Sequence, residues 1–251
     1  MKKPNLILIN GFASNKHIIK GFVEYLSEFF KVYAFDLPGF RKDLPALAKI
    51  SIKNYANYMD DKISNLQLDN YILGGISLGF LVANNTKAAK NARAIIAIEP
   101  YLDCEKLRMD KKQIGITRVL VKTIGKLNAH HLAWESQFFS ELMQKEGYPK
   151  NIVNNILKHN DPKTFFETMG LLLTNDRRTR FHNKPYILII NKNDELVNAE
   201  ECIDEFEKKA KKLMIIYVAA PHVPPSPKKS HFKNHISTSE MKRINRFIDH
   251  N

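Results

Sequence analysis

Tyr71-Ile72-Leu73-Gly74-Gly75-Ile76-Ser77-Leu78-Gly79-Phe80 is the stretch whose reading decides the fold. Residues 71–73 are an apolar run of strand type, and residues 80–89 have the character of a helix. Between them, Gly75 to Gly79 match G-x-S-x-G. A five-residue pattern this loose occurs by chance, and the competing reading is a Gly-rich turn with an incidental serine. The strand–turn–helix setting is what gives it meaning. A turn this tight needs small residues two before and two after the serine, and Gly75 and Gly79 supply them. The turn lifts Ser77 Oγ above the sheet edge. It also aims the Leu78 N–H, at the helix N-terminus, toward the place where a tetrahedral oxyanion would form.

Working outward, further apolar runs at residues 6–9, 32–35 and 94–98 alternate with helical spacing such as Ile18, Phe22, Tyr25, Leu26 and Phe29. Strand and helix in alternation predict a parallel sheet covered on both faces, hence an α/β fold. The rhythm breaks after Glu99-Pro100. Over residues 101–184 helical patterns dominate, at 116–127, 132–144, 152–157 and 164–173. The alternation resumes with strands at 186–190 and 214–218, a helix over about 200–211 and a last helix from Thr238. Ser237 and Glu240 have the spacing of a capping box for that helix. The predicted organisation is an α/β core at residues 1–100 and 185–251, interrupted by a helical insertion at 101–184. Residues 221–230, rich in Pro and Lys, read as a loop.

Composition narrows the class. The chain has 251 residues, 44% hydrophobic and 26% charged, ordinary for a globular protein. The formal charge of +13 suits an acidic partner, but the lysines are scattered, with no long basic block, and a generally Lys-rich surface accounts for them. No nucleic-acid partner is expected. Cys104 and Cys202 lie far apart, indicating neither a disulfide framework nor a zinc site. The apolar run after Met1-Lys2-Lys3 is too short for a secretion signal, and no stretch reaches the 18 apolar residues of a membrane span. The expected compartment is the cytoplasm.

The chain resembles the α/β-hydrolase superfamily, in its serine esterase branch with a helical lid, over nearly all its length apart from the insertion. Asn10-Gly11-Phe12-Ala13 stands where the family has its His-Gly oxyanion motif, with Asn10 in place of His. The resemblance makes the Phe12 N–H a second oxyanion donor beside Leu78. Because that donor is backbone, Asn10 is expected to alter loop packing more than the hole. Asp36-Leu37-Pro38-Gly39-Phe40 is similar to the family's D-x-P-G-F turn, with Arg41-Lys42 replacing the usual ending. The family carries its cap between the sixth and seventh strands of its fold, where residues 101–184 fall.

A serine nucleophile needs a base and an acid that orients it. In this fold the chain order is Ser, acid, His. Asp194, directly after the strand at 186–190, is the expected acid; Glu99 is the alternative, and Glu195 is expected to point elsewhere. The base should follow the last strand, where His222, His231 and His235 lie. His222 has the usual spacing, and His222-Val223-Pro224 is similar to the family's H-x-P form. His231 is the alternate base, since Ser230-His231-Phe232 is similar to its G-H-F form. The predicted catalytic set is therefore Ser77, Asp194 and His222, with Phe12 and Leu78 as oxyanion donors. Neither a metal nor a cofactor is expected.

The insertion holds the only tryptophan, and Trp134, Phe138 and Phe139 read as one face of a single helix. That stripe is core or lid-to-body packing, or else it lines the cleft and favours an apolar acyl or alcohol group. Residues 101–184 hold 15 Lys and Arg against 9 Asp and Glu. Family relatives that hydrolyse a pimeloyl methyl ester on acyl carrier protein use lid basics to hold that acidic carrier, so an acidic carrier is a possible partner. The densest basic patch, Arg177-Arg178-Thr179-Arg180, reads first as a solvated loop. The function expected is hydrolysis of a small acyl ester through an acyl-enzyme. Thioester, lactone and acyl-carrier substrates are the alternatives on the same triad, and a non-catalytic binding protein is a further one.

Overall fold

The computed structural model describes residues 3–145, 147–176, 179–219, 221–223 and 228–250. Six strands form one sheet: β1 Asn5–Ile9, β2 Lys31–Phe35, β3 Tyr71–Ile76, β4 Ile95–Ile98, β5 Pro185–Ile190 and β6 Lys212–Tyr217. All pairings are parallel, and the order across the sheet is β2-β1-β3-β4-β5-β6. The central strands β4 and β5 are buried at every position, which is why they read as unbroken apolar runs.

The helices are α1 Lys20–Leu26, α2 Ile52–Ser64, α3 Leu78–Asn84, α4 Lys111–Lys126, α5 His130–Trp134, α6 Gln137–Lys145, α7 Lys150–His159, α8 Pro162–Thr174, α9 Ala199–Lys209, α10 Lys229–His235 and α11 Thr238–Asp249. Alternate strand residues feed two apolar clusters, one on each face of the sheet. Leu6, Leu8, Ile72 and Ile187 pack with Phe22 of α1 and Ile244 of α11. Ile7, Ile9, Leu73 and Leu188 pack with Tyr55 of α2, Phe80 of α3 and Phe206 of α9.

Helices α4 to α8 all fall between β4 and β5, which nevertheless pair directly, so the sheet passes under the helical segment without a break. That segment is held by its own aromatic cluster. The Trp134 ring lies tilted 5.3 Å from Phe139 and edge-on 5.0 Å from Phe165, and its Nε1–H donates to the Leu157 carbonyl at 3.2 Å.

Three expectations from the sequence need correction. The chain turns at Glu135-Ser136, so residues 132–144 form two helices, and Trp134 and Phe138 do not share a face. Trp134 and Phe139 go inward, whereas Phe138 is 68% exposed. Residues 229 and 230, read as loop, open helix α10. Helix α3 also stops at Asn84, with a separate turn of 3-10 helix at Ala88–Lys90. The capping box at Ser237 and Glu240 forms with both hydrogen bonds. The basic patch at 177–180 begins outside the described residues. So does Pro224, the last residue of the His222-Val223-Pro224 run.

Candidate active site

The order β2-β1-β3 puts a topological switch point between β1 and β3. Ligands of open α/β sheets bind beyond the carboxyl ends of the strands at such a point. Each sequence-predicted site residue falls at this end. Phe12 follows β1, Ser77 follows β3, Asp194 follows β5 and His222 follows β6.

The turn at Ser77 is as tight as its glycines require. A Cβ on Gly75 would lie 2.3 Å from the Phe80 nitrogen, and one on Gly79 would lie 2.2 Å from the Ile9 carbonyl oxygen. Ser77 itself sits at φ 50°, ψ −120°, a conformation disfavoured for any residue with a side chain. Its backbone is pinned by the N–H, which donates to the Ile98 carbonyl at 2.9 Å, and by the carbonyl, which accepts from Phe80 at 3.0 Å. Leu78 begins α3, so its N–H is among the unpaired donors of a helix start.

Asn10 is fully buried, and its Nδ2 donates to Asp36, whose other oxygen pairs with Arg41 at 2.8 Å. The departure from His thus ties the Gly11-Phe12 loop to the neighbouring turn. The Phe12 ring packs 4.7 Å from Phe165 of α8 and 5.7 Å from Phe40, so the helical segment bears directly on that loop.

Asp194 and His222 are brought together. His222 Nδ1 lies 2.7 Å from Asp194 Oδ2, with the two side chains 8% and 0% exposed. Asp194 Oδ1 accepts backbone N–H groups of Leu196 at 2.7 Å and Val197 at 2.9 Å. Burial by itself would raise the Asp194 carboxyl. The hydrogen bond and charge of His222, with the backbone donors, overcome this and hold it below its ordinary value. His231 is placed elsewhere, in α10, with its ring 4.4 Å from that of His235. Burial first, and then His235, lower its pKa.

Two residues take part in ways the sequence did not disclose. Glu195 lines the same cavity as Ser77 and accepts the His222 backbone N–H at 3.1 Å, contrary to the expectation that it points away. Adjacency in sequence to Asp194 gave no cue to this, because the contact spans 27 positions. Glu99, named only as an alternative acid, is 5% exposed at φ 43° and sits beside Asp194. Its Oε1 accepts the Asn191 N–H at 2.9 Å. Its Oε2 is buried without a partner as a carboxylate. Desolvation, and then the neighbouring Asp194, raise the Glu99 carboxyl far above the ordinary range.

Glu99, Asp194 and His222 are also the one grouping with cation-ligand spacing among the described residues, with one ligand atom of each within 4.8 Å of the others. The His222 Nδ1 and Asp194 Oδ2 atoms are committed to each other at 2.7 Å, too close for a cation to sit between them.

Ser77, Phe12 and His222 open onto one cavity of about 520 Å³. Its walls are chiefly apolar and come largely from the helical segment, among them Val121, Ile124, Phe139, Phe166 and Met169, with Arg108 and Glu195 as charged members. The size and apolar lining suit a small organic ligand.

A six-stranded parallel sheet with this order, a strained serine turn after the third strand and helices inserted before the fifth make up the α/β-hydrolase fold, and the chain belongs to that fold class. Solved structures agree. An esterase from Thermogutta terrifontis aligns with TM-score 0.70 and 15% identity, covering 98% of this chain and 91% of that one. A hydrolase from Oleispira antarctica aligns with TM-score 0.71 and 14% identity, covering 100% and 93%. In sequence, the chain is similar to the pimeloyl-[acyl-carrier protein] methyl ester esterase of Pseudoalteromonas atlantica, with 31% identity over 98 residues. That match spans 38% of this chain and 36% of the relative's length. No family model matches the chain.

Proposed function

We propose that this protein is a serine hydrolase that cleaves carboxylic esters through an acyl-enzyme, with Ser77 as nucleophile, His222 as base and Asp194 as the orienting acid. The observation that carries the reading is the 2.7 Å Asp194–His222 contact beside a cavity that Ser77 and His222 share. Asp194 Oδ2 accepts from Nδ1–H, which fixes the tautomer and leaves Nε2 as the acceptor for the Ser77 hydroxyl proton. As Oγ attacks the ester carbonyl, the Phe12 and Leu78 N–H groups take the oxyanion charge. Asp194, kept ionised, steadies the imidazolium. His222 then protonates the leaving alcohol, and the same imidazole activates water for deacylation.

The helical segment at residues 101–184 acts as a cap that dries the cavity and supplies its apolar wall. An uncharged acyl or alcohol group is the chemistry such a wall accepts, since burying a charge there without a partner is costly. The same machinery serves a second reading, hydrolysis of an acyl-carrier methyl ester. The similarity to the Pseudoalteromonas esterase and the basic surplus of the segment favour it.

A p-nitrophenyl ester series from acetate to palmitate, run beside methyl esters free and carrier-bound, tests the proposal. Turnover of the free esters with a chain-length optimum supports the esterase reading. Turnover of the carrier-bound ester alone moves the second reading to the front.

A further inference from the structure

Among the described residues, six of the seven exposed large apolar side chains belong to one part of the molecule: Ile116, Val119 and Leu120 on α4, Leu127 just past its end, Leu132 on α5 and Phe138 on α6. They are not grazed by solvent but stand in it, with Leu127, Leu132 and Phe138 between 68% and 78% exposed. The spacing of 116, 119, 120 and 127 puts these side chains on one stripe, while Val121 and Ile124 face the cavity from the flank beside it.

Along α4 and α5 the charge has one sign, whereas the exposed Glu135 and Glu141 stand three residues either side of Phe138. Residues 111–134 contain five Lys and Arg and no Asp or Glu. Arg118 is spent inward, donating to the Leu173 carbonyl at 2.6 Å. Lys111, Lys112, Lys122 and Lys126 are exposed, and among the described residues none forms an ion pair.

We propose that this face of α4 to α6 docks on an anionic lipid surface, its apolar side chains entering the acyl boundary and its lysines meeting the headgroups. A basic helix with an apolar stripe is the form that binds in a membrane interface rather than crossing it. No described helix is long and apolar enough to cross a membrane. Leu120 and Phe138 both line the cavity and face solvent, so the docked face borders the cavity mouth and an apolar molecule could pass inward without crossing water. The docking is independent of the catalytic reading and is measured without turnover.

Flotation of the whole protein with vesicles of phosphatidylglycerol and phosphatidylcholine in equal parts, beside pure phosphatidylcholine, is the test. Binding to the anionic vesicles that weakens with added salt is expected, and Ser77→Ala should bind equally well. Replacing Lys122 and Lys126 together by Gln should weaken binding by about 25-fold, roughly fivefold for each lysine. Leu132→Ser with Phe138→Ser should weaken it at least about tenfold. Both pairs are exposed, so near-ultraviolet circular dichroism should stay that of wild type. Equal or absent binding to the two vesicle types overturns the proposal. So does capture of an acidic acyl carrier protein by the same face without any vesicle binding.

Discussion

His222 Nδ1 and Asp194 Oδ2 stand 2.7 Å apart, on loops that follow β6 and β5, although 28 positions separate them in the chain. The carboxylate's other oxygen is held by two backbone N–H groups, so the imidazole is oriented by a group that cannot itself turn away. Asp194→Asn keeps the shape but presents an amide to Nδ1, favouring the wrong tautomer. The rate constant for ester turnover should fall by about 10⁴, with little change in thermal stability. His231→Ala, in helix α10 with its ring against His235, should leave turnover within a factor of about two to three of wild type.

Glu99 and Asp194 give stability a pH dependence of definite sign. The Glu99 pKa is raised in the folded protein, so folding retains a proton that the unfolded chain releases near about pH 4.3. Stability therefore falls as pH rises from there toward the raised folded value, by up to about 1.4 kcal/mol per pH unit for one proton. Asp194, lowered by His222 and its backbone donors against the effect of burial, works oppositely. Its contribution is present above the unfolded value and lost as pH falls through the folded one. Denaturant titrations of wild type and Glu99→Gln between about pH 5 and pH 8 should show a flatter profile for the variant. Parallel profiles would mean that Glu99 is ionised.

Strain at Ser77 is available to be released. Its φ of 50° suits glycine, so Ser77→Gly should abolish turnover and stabilise the fold, by about 1–3 kcal/mol if the strain is of the usual size. At about 2–4 °C per kcal/mol for a chain of this length, a calorimetric scan would resolve the rise in Tm. Gly79→Ala should do the reverse, because its new Cβ meets the Ile9 carbonyl oxygen rather than a movable side chain.

Phe165 links the helical segment to the loop carrying Phe12. The rings lie 4.7 Å apart, and Phe165 is 1% exposed. Phe165→Ala should cost about 3–5 kcal/mol of stability. It should also lower kcat by a larger factor than Phe206→Ala, an equally buried change that Phe12 does not touch. Equal kcat losses would separate the loop from the oxyanion chemistry proposed for it.

Much of this was legible in the sequence because it is local. All six strands show as apolar runs, since a sheet covered on both faces leaves no polar alternation. The serine turn shows because Gly75 and Gly79 are the only residues its backbone admits. What escaped reading is set at long range or by small breaks in register. The turn at Glu135-Ser136 sends Phe138 outward while Phe139 goes in, and composition cannot show where a helix is interrupted. The Glu99–Asp194 pairing depends on β4 and β5 lying side by side although 86 residues, 99–184, separate them in the chain. Spacing and short-motif resemblance leave His222, His231 and His235 open, and only the fold shows which of them meets Asp194.

The central claim is that Ser77 is a nucleophile activated by His222. It is tested most directly by treating the folded protein with a serine-directed fluorophosphonate and locating the adduct by mass spectrometry. The account predicts one adduct on the peptide containing Ser77, absent in Ser77→Ala, slowed at least about 10²-fold in His222→Ala and unchanged in His231→Ala. A folded wild-type protein that takes up no label, or that labels equally fast without His222, would contradict it.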